Sequence, residues 1–241
     1  MSFYLRSHAN ASGQGGGAAT TLDLGALTVR IGHLAVVIFT DRVGGAAPTI
    51  ADNLSNSWIA LEGRTNTARG SAWFSQISVS GSMTATVTFD SSTLGRSGVI
   101  GIFGGGITSP LDTNPACIDD SASPWVSPLS GTLAQTDEMV IGYYCHVGLS
   151  SDSRTVSAAP DILVDDIGSG TSTSTSATLI YRIVSATTSV APSLDSNATR
   201  AGINGTASFK AATWFDNGVT DYYPIGTPKV ITHGRSKALA V

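Results

Sequence analysis

The stretch IGIFGGGITSPLD, residues 100–112, carries an apolar run into three consecutive glycines and leaves as a polar segment. A glycine cluster in that position either cradles a phosphate or lets a strand change course. A phosphate loop needs a lysine and a hydroxyl residue after the glycines, then a helix whose first amides face the anion. Thr108 and Ser109 supply hydroxyls, but no lysine follows and Pro110 stands where the helix would be starting. The stretch therefore predicts a strand exit, with Gly104, Gly105 and Gly106 in turn or bulge geometry.

Outward from it, strand signals recur in both directions. TVRIGHLAVVIFTD (28–41) contains a continuous apolar run, Leu34 to Phe39, of the kind expected in a central strand buried on both faces. MTATVTFD (83–90) alternates Met83, Ala85, Val87 and Phe89 with three threonines, the period of a half-buried strand. SWIALEGR, SAWFSQIS, EMVIGYYCHVG, ATLIYRIVS and NGTASFKAATWF read as further strands, separated by Gly, Pro, Asn and Ser. No segment of two or more turns shows helical spacing between caps. The reading is an all-β, antiparallel β-sandwich of jelly-roll type over residues 1–215, with residues 216–241 as an extended C-terminal arm. No fixed-period sequence repeat is evident.

Charged residues make up 12% of the chain, about half the usual ~25%. The formal net charge is −4, and a general nucleic-acid binder would need a dense basic surface instead. Only the C-terminus is locally basic, with Lys229, His233, Arg235 and Lys237 after the last acid, Asp221. The N-terminus lacks the order of a secretory signal, and no run approaches the roughly 18 apolar residues of a membrane span. A chain made in a reducing cytoplasm follows, with no membrane or nucleic-acid partner.

No cofactor or metal is expected. His8, His33, His146 and His233 are scattered without ligand spacing, and Cys145 and His146, adjacent on a strand, point to opposite faces. Cys117 and Cys145 are too few for a disulfide scaffold, and whether they pair is left open. The acidic clusters 118–120, 164–166 and Asp137-Glu138 read as solvated loop charge, with calcium binding as the alternative. No Gly-x-Ser-x-Gly elbow anchors hydrolase chemistry, so no catalytic residue is assigned. Trp58, Trp73, Phe74 and Trp214 read as core. Trp125, between prolines in SASPWVSPLS, is the candidate for an exposed ring touching a ligand or neighbouring subunit. Tyr222 and Tyr223 read as anchors of the arm.

The succession TLDLG, HLAVVIFT, PTIADNLSNSWIAL, MTATVTFD, GVIGIFGGGITSPLD and DEMVIGYY resembles lectin-like jelly-roll modules of bacteriophage virion proteins, over roughly residues 3–212. Those modules turn a strand with D-x-x-G-N-x-W; ADNLSNSW keeps Asp52, Asn56 and Trp58 but places Ser55 where glycine is usual. The resemblance implies a non-enzymatic virion subunit, a capsid decoration or tail-surface protein, assembled in the host cytoplasm. Its partners would be other virion proteins and further copies of itself as a homo-oligomer. The second reading is a fibre or tail-tip module that binds a host surface glycan, and the third a sandwich-fold glycan hydrolase.

Overall fold

The computed structural model describes residues 3–14, 20–42, 47–65, 68–89, 95–113, 117–148, 151–157, 159–168 and 175–211. Among them every regular element is a strand. The first half of the chain supplies β1 (Tyr4–Gln14), β2 (Thr21–Val29), β3 (Leu34–Arg42), β4 (Thr49–Asp52), β5 (Ile59–Ala60), β6 (Arg64–Thr65), β7 (Ala68–Gln76), β8 (Gly81–Thr88) and β9 (Gly95–Gly104). They pair antiparallel as one large sheet, β1-β9-β3-β7-β5 with β6 also on β7, and one small sheet, β2-β8-β4.

The second half supplies β10 (Gly106–Thr113), β11 (Ile118–Asp120), β12 (Trp125–Val126), β13 (Glu138–Val147), β14 (Arg154–Val156), β15 (Ile162–Gly168), β16 (Thr175–Val184), β17 (Ser193–Ser196) and β18 (Gly202–Ala211). Its large sheet runs β10-β18-β13-β16-β15 with β11 also on β18, and its small sheet runs β12-β17-β14.

The sheets stack in four layers, which the alternation along the central strands explains. Leu34, Val36 and Ile38 of β3 enter a core shared with Met139, Ile141, Tyr143 and Cys145 of β13. Ala35, Val37 and Phe39 point the other way, against Leu22, Leu24, Met83 and Val87 of the first small sheet. On the far side, Tyr144 and Ile180 meet Trp125 and Leu194 of the second small sheet. A strand covered on both faces has no polar face to show, and so β3 is a continuous apolar run.

The antiparallel β-sandwich reading holds for the two large sheets, and a small three-stranded sheet covers the outer face of each. Matching β1, β2, β3, β4, β5, β7, β8 and β9 in order with β10, β12, β13, β14, β15, β16, β17 and β18 converts one half's strand orders into the other's. Only β6 and β11 are left over. At the centre of the stack the contacts between the large sheets map onto one another, since β3 meets β13, β3 meets β16 as β13 meets β7, and β9 meets β16 as β18 meets β7; the contacts of β15 with β1 and β9 have no counterpart at β5. The two halves thus repeat one strand order, most closely where the two large sheets meet. The duplication lies in topology and not in residue identity, so no sequence period announces it.

The glycine cluster is the junction of the two halves. Gly104 ends β9, Gly106 begins β10 opposite Ala211, and Gly105 alone separates them with a φ of 99°. Gly104 has a different reason to lack a side chain. A Cβ there would stand 2.5 Å from the ring of Tyr4, its partner on β1.

The turn after β4 is a small hydrogen-bonded staple. Asp52 Oδ1 accepts from the Leu54 amide at 2.8 Å and from Asn56 Nδ2 at 3.1 Å, while Oδ2 accepts from Trp58 Nε1 at 2.8 Å. Asn56 Oδ1 in turn accepts from the Ser78 amide at 2.9 Å, tying the turn to the end of β7. Ser55 sits at the top with a φ of 59°, a left-handed conformation that costs a residue with a Cβ about 1 kcal/mol or more. Ser55→Gly should therefore raise stability by about 0.5–1 kcal/mol after the entropy it adds to the unfolded chain. Urea unfolding at neutral pH reads this directly, and an unchanged or lower midpoint would contradict it.

Candidate functional site beneath the second small sheet

Trp125 is the residue that sequence reasoning placed on the surface, and the structure corrects this. It is fully buried, at 0% exposure. The two flanking prolines suggested a loop, but Trp125 and Val126 form a short strand paired with Leu194 and Ser193 of β17. Period two then turns Trp125 and Ser127 inward and leaves Val126 outside. The indole packs with Tyr144, Ile180 and Leu194, and Val156 closes the cluster from β14.

Its face lies on His146 of β13, with ring centroids 3.8 Å apart and planes 18° from parallel. His146 is itself buried. Its Nδ1 is 2.8 Å from the Arg200 carbonyl and its Nε2 is 2.7 Å from Asn204 Oδ1. Asn204 Nδ2 donates to Asp120 Oδ2 at 2.8 Å and to the Val126 carbonyl at 3.2 Å, which fixes the amide with its oxygen toward the ring. Both imidazole nitrogens therefore face acceptors. Burial pulls the ring's pKa below its usual value, against the upward pull of Asn204 and the Arg200 carbonyl. Both ring nitrogens are committed to protein partners, and the imidazole is buried from solvent.

Asn204 and Asp120 were not singled out in the sequence, although a signal exists. NGTASF alternates Asn204, Thr206 and Ser208 with small or apolar residues, which marks a polar face. That face is covered, with Thr206 Oγ1 donating to the Pro128 carbonyl at 2.7 Å and Ser208 bonded to Thr113 Oγ1 at 2.8 Å. A polar strand face read as solvent-facing can equally be the seat of a covering loop.

Asp165, Asp166 and Glu138 of the acidic clusters are held by protein partners, whereas Asp119 and Asp137 are exposed as expected. Asp165 Oδ2 pairs with His8 Nδ1 at 2.7 Å, and its Oδ1 accepts from Asn10 Nδ2 at 2.9 Å. Asp166 accepts from Arg154 Nη1 at 2.8 Å and from Thr178. Glu138 is fully buried. Among the described residues no three His, Cys, Asp or Glu side chains gather as a metal site. Cys117 and Cys145 are both free and buried. Cys117 Sγ meets the Tyr143 hydroxyl at 2.8 Å, whereas Cys145 donates to the Phe39 carbonyl at 3.3 Å, on the face of β13 opposite His146. Burial pushes the Cys145 thiol up to about 12, far from a reactive thiolate. Tyr222 and Tyr223 lie outside the described residues.

What the arrangement does chemically is hold layers together. An imidazole roofed by an indole and anchored by an amide and a carboxylate ties β12, β13 and β18 to the segment at Arg200. Compared with protein families, with curated proteins and with solved structures, the chain matches none.

Proposed function

We propose that the chain is a non-enzymatic structural subunit of a phage-like particle, a capsid decoration or tail-surface protein built on jelly-roll topology, acting through protein–protein contacts. The observation that carries this reading is how charge and apolar surface are distributed. Scarce ionic side chains are taken up in internal pairs, Arg69 on Asp41 buried and Arg154 on Asp166, Arg182 on Asp161 and Arg200 on Asp152 partly covered. Branched apolar side chains meanwhile stand outside, with Ile31 and Leu129 each at 61% exposure and Ile59 at 53%. Such a surface suits packing against other protein better than life as a free monomer.

In this reading residues 216–241 dock on a neighbouring subunit, Tyr222 and Tyr223 being the anchors. Their basic residues are complementary to the acidic body. The glycan reading has lost the ring it relied on, since Trp125 is covered. Deleting residues 217–241 should leave the β stack folded, by circular dichroism and urea unfolding, and abolish incorporation into particles. A truncated chain that still assembles would overturn the arm.

A further inference from the structure

The loop that precedes β13 presents two successive amides to two different carboxyl groups. The Ala134 amide donates to Asp112 Oδ2 at 2.9 Å, and the Gln135 amide donates to Glu138 Oε1 at 2.9 Å. Asp112 belongs to β10 and Glu138 opens β13, and both strands pair with β18 between them. Lys210 of β18 is the register partner of Glu138 and brings Nζ to 3.8 Å from Asp112 Oδ1.

Glu138 is 0% exposed, and among the described residues no hydrogen-bond donor reaches its Oε2. Held by successive amides, with Lys210 beside both, the two carboxyl groups are close neighbours. Two ionised carboxylates repel at that range, whereas one proton between them makes a hydrogen bond. Lys210 balances the single charge that remains. A divalent cation in the same place would meet that ammonium beside its own ligands, so a proton fits the site better.

We propose that Asp112 and Glu138 share one proton and form a pH-operated latch on the loop between β12 and β13. The loop it secures also holds the end of the described chain. Gln135 Nε2 donates to the Ala211 carbonyl at 3.0 Å, where β18 ends and residues 212–241 continue. Leu133 of the same loop packs on Val140 and Val184. The charged groups around Glu138 are Asp112 from β10, Lys210 from β18 and exposed Asp137 beside it, while β16 presents Val184. Loss of the shared proton sets two buried negative charges together and loosens the root of the C-terminal segment. The latch does not rest on a role in a particle.

Burial and the Asp112 charge hold the Glu138 carboxyl above its ordinary 4.5. The folded state thus keeps a proton that the unfolded chain releases, and the stability it contributes is full below that ordinary value and lost as pH rises through the folded one. Glu138→Gln supplies a permanent donor to Asp112, and Asp112→Asn supplies one to Glu138. Thermal melts of the full chain from about pH 5 to pH 8 should show wild type falling relative to Glu138→Gln by about 3 °C or more. Hydrogen exchange at the Ala134 and Gln135 amides should lose protection over the same interval in wild type but not in either variant. Melting curves that stay parallel would overturn the latch. So would millimolar calcium or magnesium restoring the wild type, and not Glu138→Gln, at the upper end, because the site would then hold a cation.

Discussion

Trp125→Ala is expected to cost about 3–5 kcal/mol of folding stability, the range for emptying a fully buried aromatic site. The indole is the floor of the β12-β17-β14 sheet and the roof of His146, and no other side chain can move into both places. The loss should appear in urea unfolding at neutral pH, with earlier exchange of the β12 and β17 amides than of β3. Trp125→Phe keeps a stacked ring. Because Trp125 Nε1 has no hydrogen-bond partner among the described residues, that variant forfeits packing alone, about 1–2 kcal/mol. Wild type should also lose stability as pH falls below about 6.5, where the unfolded chain takes up a proton that buried His146 refuses. Trp125→Ala should weaken that acid dependence by letting water reach the ring. A folded Trp125→Ala protein of wild-type stability would contradict the packing role and return the residue to the surface.

The Trp125 result also shows where sequence reading stops. Periodicity identified β3 and β8 because their environments are uniform along the strand: two covered faces for Leu34–Phe39, one for Met83–Val87. The opposite facing of Cys145 and His146 followed from the same period. Trp125 has only two strand residues around it, too short for a period to be read, and its prolines argued for exposure. The doubled architecture was illegible for a different reason, since equivalent strands such as β3 and β13 share burial and topology but little more than a Val-Ile pair in sequence. Glu138 was read as solvated because sequence does not reveal that β10 brings Asp112 beside it. Ser55 was the opposite case. Its departure from the expected glycine was visible, and its φ of 59° supplies the physical meaning.

Gly205→Ala is expected to be comparably damaging, at about 3 kcal/mol, although it adds a single methyl group. Gly205 of β18 lies directly across from Tyr143 of β13, and a Cβ would fall 2.0 Å from Tyr143 Cζ. The ring cannot step aside. Its hydroxyl donates to the Glu62 carbonyl at 2.7 Å and meets Cys117 Sγ at 2.8 Å, contacts that reach from β13 across the central core to the β5–β6 connection. To admit the methyl group, either β18 moves away from β13 or the phenol leaves that carbonyl, and each breaks buried hydrogen bonds. The contrast with Tyr143→Leu separates the two causes: it should cost stability alone but relieve much of the alanine's penalty in the double variant. A coupling of about 1 kcal/mol or more in the urea double-mutant cycle is the expected sign of that shared space. Strict additivity would mean that the ring has another position, and that the glycine is there for the backbone of β18 and not for Tyr143.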